Sequence, residues 1–342
     1  MSIPHLGRAG DGGTWLPPFV DAHVHLGLVD PVAVRRGGIA VVHDLGWVPD
    51  VARTWPGRPG FPEVAFAGAF LTAPGGYPSD RSWAPPGSVE EVGSPEAAVA
   101  AVDRQVAAGA SFVKVALHSG AGPVPDDVTL AALVGHAHAR GRDVVAHVEG
   151  RGMAARAYEA GVDRLAHAPF SERLPDDLLA AMAGPSGAGG TDRSRVGWVS
   201  TLDVHGWGSP TAEQDVAIDN VRRFVALGGT VAYGTDLGNG PLPPGVNPRE
   251  LRALAAAGLD AHALVAALTR DAAAERGVPD RALRPGTQRS STDASLTTWV
   301  PGEVPDLDDP DAVATWLARA VVVERDTARD TAHDPAPPEG RP

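Results

Sequence analysis

The sequence predicts an α/β chain folded as a closed (β/α)8 TIM barrel. Three observations carry that reading: eight short apolar runs rich in β-branched residues, helical patterns lying between them, and polar side chains at the ends of five of the runs. The runs are FVDAHVHL from Phe19, GIAVVHDL from Gly38, EVAFAGAFL from Glu63, FVKVAL from Phe112, DVVAHV from Asp143, DRLAHA from Asp163, VGWVSTL from Val196 and TVAYGTDL from Thr230. Strands alternating with helices are the mark of right-handed βαβ crossovers, and eight of them favour closure over an open doubly wound sheet.

The helices between the runs have recognisable ends. Ser94-Pro95-Glu96 reads as an N-cap followed by a first-turn proline, and AAVAAVDRQVAAG stops on Gly109. DDVTLAALVGHAHARG and GRGMAARAYEAG repeat the pattern, each ending in glycine just before the next strand. GPSGAGGTDRSR, from Gly184 to Arg195, reads as a flexible surface excursion. Past Ala282 the alternation weakens into RPGTQRSSTDASLTTWVPGE and the acidic DLDDPDA, read as a small all-β appendage. The Pro-rich, charged stretch at 326–342 reads as a disordered tail.

Composition sets limits on partners. A chain of 342 residues, 43% hydrophobic and 21% charged, is long and apolar enough for a full-sized core. A net charge of -13 without any basic run argues against nucleic acid or an anionic membrane as partner. No apolar run approaches the roughly 20 residues that span a bilayer, and the first residues lack a signal-peptide core, so a cytoplasmic location is expected. With no cysteine, any bound metal must use nitrogen and oxygen ligands.

His23 and His25 lie two apart in a strand, so both point to one side. With Lys114, His147, His167 and Asp236 they fall at the C-terminal ends of five runs, the face where barrel enzymes place their chemistry. Each residue alone has an ordinary structural reading. A histidine can be hydrogen-bonded in a core, Lys114 can bind a carboxylate, form a Schiff base or sit on the surface, and Asp236 can cap the next segment. Together they read as a catalytic metal site of nitrogen and oxygen ligands. Tyr77, His118, Glu149, His205 and Tyr233 lie next to this rim and are the candidates for binding a small-molecule substrate. Glu149 falls on the same side as His147 and suits a substrate amine, or else caps the next helix. His136 and His138 lie in a helix, where a spacing of two splits them between faces, and His5 and His333 lie in the termini; none is read as a ligand.

From Trp15 to Val278 the sequence resembles the amidohydrolase superfamily, in particular its imidazolonepropionase-like and Xaa-Pro dipeptidase-like metal-dependent hydrolases. FVDAHVHL, GGIAVVHDLG, LTAPGGYPS, GASFVKVALHSG, AHARGRDVVAHVEGRGMAARAYEAGVDRLAHAPF and GGTVAYGTDLG carry the resemblance, in the family's order. It implies two divalent ions, with His23, His25 and Asp236 serving the more buried one and His147 and His167 the other. It also implies that Lys114, carboxylated by carbon dioxide, bridges them. Zinc suits these ligands, and manganese and iron fit the same donor types. The implied reaction is hydrolysis of a carbon–nitrogen bond in an N-acyl amino acid, dipeptide or cyclic amide by a metal-bridging hydroxide, with Asp236 moving the proton.

The resemblance further implies a β-sandwich beside the barrel, here reduced to segments at 1–18 and 282–325 around a barrel at 19–281. The chain departs from its relatives at Tyr77, where they commonly carry histidine, and at His43, where they carry arginine. A lactonase or deaminase on the same scaffold is the rival activity, and a non-catalytic relative is the rival outside enzymes. Lys114 disfavours a deaminase, which by family resemblance lacks it. A homo-oligomer is left open.

Overall fold

The computed structural model describes residues 7–9, 12–184, 195–269 and 295–325. The flexible excursion read at 184–195, the tail at 326–342, His5 and His333 therefore fall wholly or largely outside the described residues.

The described chain is a mixed α/β structure with three sheets. In the first parallel sheet, β3 (Val20–Val24), β4 (Val41–Asp44) and β5 (Glu63–Phe66) lie side by side in that order. The second holds β6 (Phe70–Thr72), β7 (Val89–Glu91), β8 (Phe112–His118), β9 (Asp143–Glu149), β10 (Arg164–Leu165), β11 (Gly197–Val199) and β12 (Val231–Ala232). Its spatial order is β12-β11-β10-β9-β8-β6-β7, all parallel.

Each predicted run supplies strand residues, with two differences. EVAFAGAFL is divided at Ala67–Ala69, so β5 pairs with β4 while β6 pairs with β8. Strand β7 comes from a segment given no strand in the sequence reading.

Hydrogen bonds join the parallel sheets at both ends. Ser111 N, just before β8, donates to Phe66 O at 2.8 Å. At the other end Ala22 N donates to Tyr233 O at 3.0 Å, Asp236 N to His23 O at 2.8 Å and His25 N to Leu237 O at 2.7 Å. Gly234 permits the last approach: a Cβ there would lie 2.2 Å from a Val199 methyl and 3.0 Å from His23 N.

The helices form as their caps dictate. In the helix Pro95–Ala107, Ser94 Oγ accepts from Ala97 N at 3.2 Å, and in the helix Asp127–Ala139 Asp126 accepts from Thr129 N at 2.7 Å. Apolar faces of these two helices and of the later helices Ala212–Ala226 and Ala261–Thr269 contribute Val102, Leu133, Phe224 and Leu264 to one continuous core against the parallel strands. Burying a side chain of this size contributes about 1.5–3 kcal/mol.

The chain ends meet in an antiparallel sheet, β1 (Gly7–Ala9), β2 (Gly13–Leu16), β13 (Ser295–Pro301) and β14 (Val321–Arg325), in the order β1-β2-β13-β14. The appendage read as all-β also contains a helix, Pro310–Leu317. The acidic DLDDPDA run starts it, because Asp309 accepts from Asp311 N and Ala312 N and Pro310 occupies the first turn.

Among the described residues no helix is long and apolar enough to cross a membrane.

Candidate active site

A cavity of about 480 Å³ opens where the parallel strands end. His23, His25, Lys114, His147, His167 and Asp236 all line it. Strand β3 delivers His23, with His25 just past its end. Lys114 and His147 come from β8 and β9, while His167 and Asp236 follow the short strands β10 and β12.

Neighbouring carbonyls fix the histidine tautomers. His23 Nδ1 donates to Ala166 O at 2.8 Å and His25 Nδ1 to Gly46 O at 3.3 Å. A carbonyl only accepts, so each neutral imidazole presents a lone pair at Nε2. These two Nε2 atoms lie 3.4 Å apart, and Asp236 Oδ1 lies 3.1 and 3.2 Å from them. With both rings neutral, three acceptor atoms converge on one point, and Asp236 Oδ1 is buried without an aligned hydrogen-bond donor.

A cation resolves such an arrangement. Ligand bonds of about 2.0–2.1 Å in a tetrahedral array set donor atoms about 3.3 Å apart, close to the spacing observed here. The other carboxylate oxygen, Asp236 Oδ2, accepts from Asn239 Nδ2 at 2.9 Å. Asp236 itself stands at φ 57°, a left-handed conformation that aspartate and asparagine tolerate better than most residues.

A second group of donors lies alongside. His118, His147 and Glu149 bring ligand-type atoms within 4.8 Å of one another. The His147 ring meets that of His167 edge-on at 4.9 Å, and Thr201 Oγ1 lies 2.9 Å from His167 Nδ1. Lys114 lines the same cavity, 1% exposed, and burial brings its ammonium down to about 7 against the opposing pull of Asp236 and Asp44. An amine in that state is partly neutral at physiological pH and able to take up carbon dioxide.

The site's charges follow from burial and proximity. Burial lowers His23, His147 and His167 and so favours the neutral ring that a metal would need. Burial raises Asp236; wherever His23, His25 or His167 carries a proton, its charge outweighs burial and holds the carboxyl well below the usual range.

Of the five predicted substrate residues, Tyr77, Glu149 and His205 line the cavity. His118 sits beside it, Nε2 3.2 Å from Glu149 Oε1 and its ring 5.0 Å from that of Tyr77. Tyr233 does not belong with them. It is fully buried in the core, and its hydroxyl accepts from Asn247 N at 2.7 Å. Side chains alternate along β12 and its continuation, so Tyr233 points outward from the sheet when its neighbours point in. His136 and His138 turn to separate partners outside the cavity, Asp103 at 2.9 Å and Asp163 at 2.8 Å.

The sequence reading passed over the residues that support the site. Asp44 accepts from Leu26 N at 2.7 Å, just past His25, and Asp21 accepts from Thr235 Oγ1 at 2.6 Å, just before Asp236. Burial raises both carboxyls, Asp21 to about 7 and Asp44 to about 6. Asp44 ends β4 at a rim position, a signal the sequence held; Thr201 offered none. The aromatic walls Phe70, Trp83, Phe170 and Trp207 were also missed.

No family model and no curated protein matches the sequence. Solved structures do match. A Xaa-Pro dipeptidase with methionine bound in its active site superposes with TM-score 0.67 at 19% identity, covering 91% of this chain and 86% of that one. The chain has the fold of the amidohydrolases. An amidohydrolase gives TM-score 0.65 at 18% identity over 92% of this chain and 88% of the other. The ochratoxinase of A. niger gives 0.64 at 18% identity, covering 90% and 80%.

Proposed function

We propose that this amidohydrolase-fold chain is a metal-dependent hydrolase cleaving a carbon–nitrogen amide bond of a small molecule such as a dipeptide, N-acyl amino acid or cyclic amide. The observation that carries the reading is the convergence of three acceptor atoms, from His23, His25 and Asp236, beside buried Lys114. The two parallel sheets are read as one (β/α)8 barrel, supported by the hydrogen bonds at both joins. The terminal segments at 1–18 and 282–325 are read as its reduced β-sandwich companion.

In this reading His23, His25 and Asp236 would hold one divalent ion, zinc by preference, and His147 and His167 a second. Lys114 would serve both ions as a carbamate, formed when its neutral amine adds to carbon dioxide and loses a proton. Bound ions supply Lewis acidity and a water acidic enough to ionise near neutral pH. The chain does the rest. Asp236 accepts the proton of the attacking water and carries it to the leaving nitrogen, while Asn239 holds its second oxygen in place. Asp44 and Thr201 keep the loop after His25 and the His167 ring in orientation.

The test is elemental analysis together with a hydrolysis screen of zinc-loaded protein across dipeptides, N-acyl amino acids, cyclic amides and lactones. Two ions per chain and turnover of an amide are expected. Protein that binds no ion, or that opens lactones alone, overturns the proposal.

A further inference from the structure

Glu149 is the carboxylate that lines the cavity away from the convergence point of His23, His25 and Asp236. Its oxygens lie 3.2 Å from His118 Nε2 and 3.3 Å from His147 Nε2, and His147 Nε2 forms no aligned hydrogen bond with it. The carboxylate is half-buried and keeps acceptor capacity toward the cavity.

Aromatic faces surround the same space. Tyr77 stacks on the His147 ring at 5.1 Å and meets Trp83 at 6.2 Å, and Trp83 meets Phe70 at 5.8 Å. Phe170, also lining the cavity, packs on His205 at 4.2 Å. Among the described residues, the one lysine or arginine lining the cavity is Lys114, at the metal site. Arg81 lies 5.5 Å over the Tyr77 ring and 3.3 Å from Asp80, outside the lining.

A carboxylate set among π-faces attracts an ammonium group and repels an anion. We infer that Glu149, with the aromatic wall of Tyr77 and Trp83, forms a subsite for an ammonium group carried on an apolar acyl portion of the substrate. This deepens the amide-hydrolase reading above and rests on it. His118 steadies the carboxylate from behind, and Phe70 and Phe170 take the apolar body. The subsite selects amines over neutral groups and neutral groups over carboxylates at this position.

Three anilides with one scissile bond test it: phenylalanine p-nitroanilide, its N-acetyl derivative and its N-succinyl derivative. The expected order of kcat/KM on zinc-loaded protein is amine, neutral, carboxylate, with about tenfold or more between first and last, the worth of one charge-assisted hydrogen bond. Glu149→Gln should bring the three together while keeping the wild-type ion content and melting temperature.

Calorimetric titration of the same compounds reads the order as Kd without turnover. Failure of every anilide to react would count against the hydrolase reading, and the Kd order would still decide the subsite. Equal or preferred binding of the succinyl compound overturns the inference. So does loss of a metal ion in Glu149→Gln, which would make the carboxylate a ligand.

Discussion

Replacing Asp236 by asparagine should stabilise the metal-free protein while crippling the loaded one. In the absence of metal, Asp236 Oδ1 faces two Nε2 lone pairs at 3.1 and 3.2 Å, and no donor reaches it. The amide introduced by Asp236→Asn can turn its NH2 toward both nitrogens and its oxygen toward Asn239 Nδ2, now 2.9 Å from the carboxylate. Two new neutral hydrogen bonds contribute about 0.5–1.5 kcal/mol each, so a gain of about 1–3 kcal/mol is expected. For a chain of this size that raises Tm by about 2–5 °C. Backbone strain should not change, because asparagine accepts the left-handed φ of 57° as readily as aspartate.

The assay is calorimetric melting at pH 8, first in chelator and then in zinc. With zinc the ranking should reverse. Free ion at a hundredfold excess over Kd stabilises the wild type by about 2.7 kcal/mol, and the variant, lacking the anionic ligand, gains less. Turnover should fall by about 10²–10⁴, the usual worth of a positioned acid or base, even where the variant retains metal. A variant melting below wild type in chelator would refute the reasoning, since it would mean that a hydrogen already lies between these atoms.

Lys114→Met should lower the ion content from two per chain to one. It should also flatten the pH dependence of metal-free stability: the lysine is depressed to about 7 when folded, so the unfolded chain binds more protons between there and 10.5. Wild-type stability therefore rises with pH across that window by up to about 1.4 kcal/mol per unit, as denaturant melts at several pH values would show. Thr201→Val removes the oxygen 2.9 Å from His167 Nδ1 and should weaken metal binding about 10–100-fold in chelator competition, while Thr201→Ser keeps it. Glu250 accepts from Leu202 N at 2.9 Å and Asp203 N at 2.7 Å, just before His205. Glu250→Gln leaves one of these amides unpaired, costing about 1–3 kcal/mol in urea unfolding and raising KM through the displaced loop.

What the sequence disclosed was what periodicity and rim position encode. His23, His25, His147, His167 and Asp236 lie at or near the ends of apolar runs, and a parallel α/β fold sends such positions to one mouth whatever the details of pairing; Lys114, only the third residue of β8, reaches the same cavity from further back along its strand. Tyr233 failed the same logic because it lies three residues before Asp236, on the opposite parity of the strand, a distinction lost when β12 is only two residues long. Asp21 and Thr201 act through partners far along the chain, and no local pattern announces such a contact. The helix at Pro310–Leu317 was hidden by the acidic run that caps it, read as a sign of irregularity when Asp309 and Pro310 were its start signal.

The hydrogen bonds between β3 and the segment after β12 also set when the site can exist. Asp21 and Thr235, which meet at 2.6 Å, are separated by 214 residues of sequence. At ribosomal speeds of about 5–20 residues per second, the two histidines wait roughly 10–40 s for the aspartate that completes their donor set. During that interval a nascent chain offers a free metal two imidazoles and no anchoring carboxylate. In the proposed metal-dependent reading, loading is thereby deferred until the last parallel strand has been made, so that acquiring the ion becomes a checkpoint on finished folding rather than an event along the way.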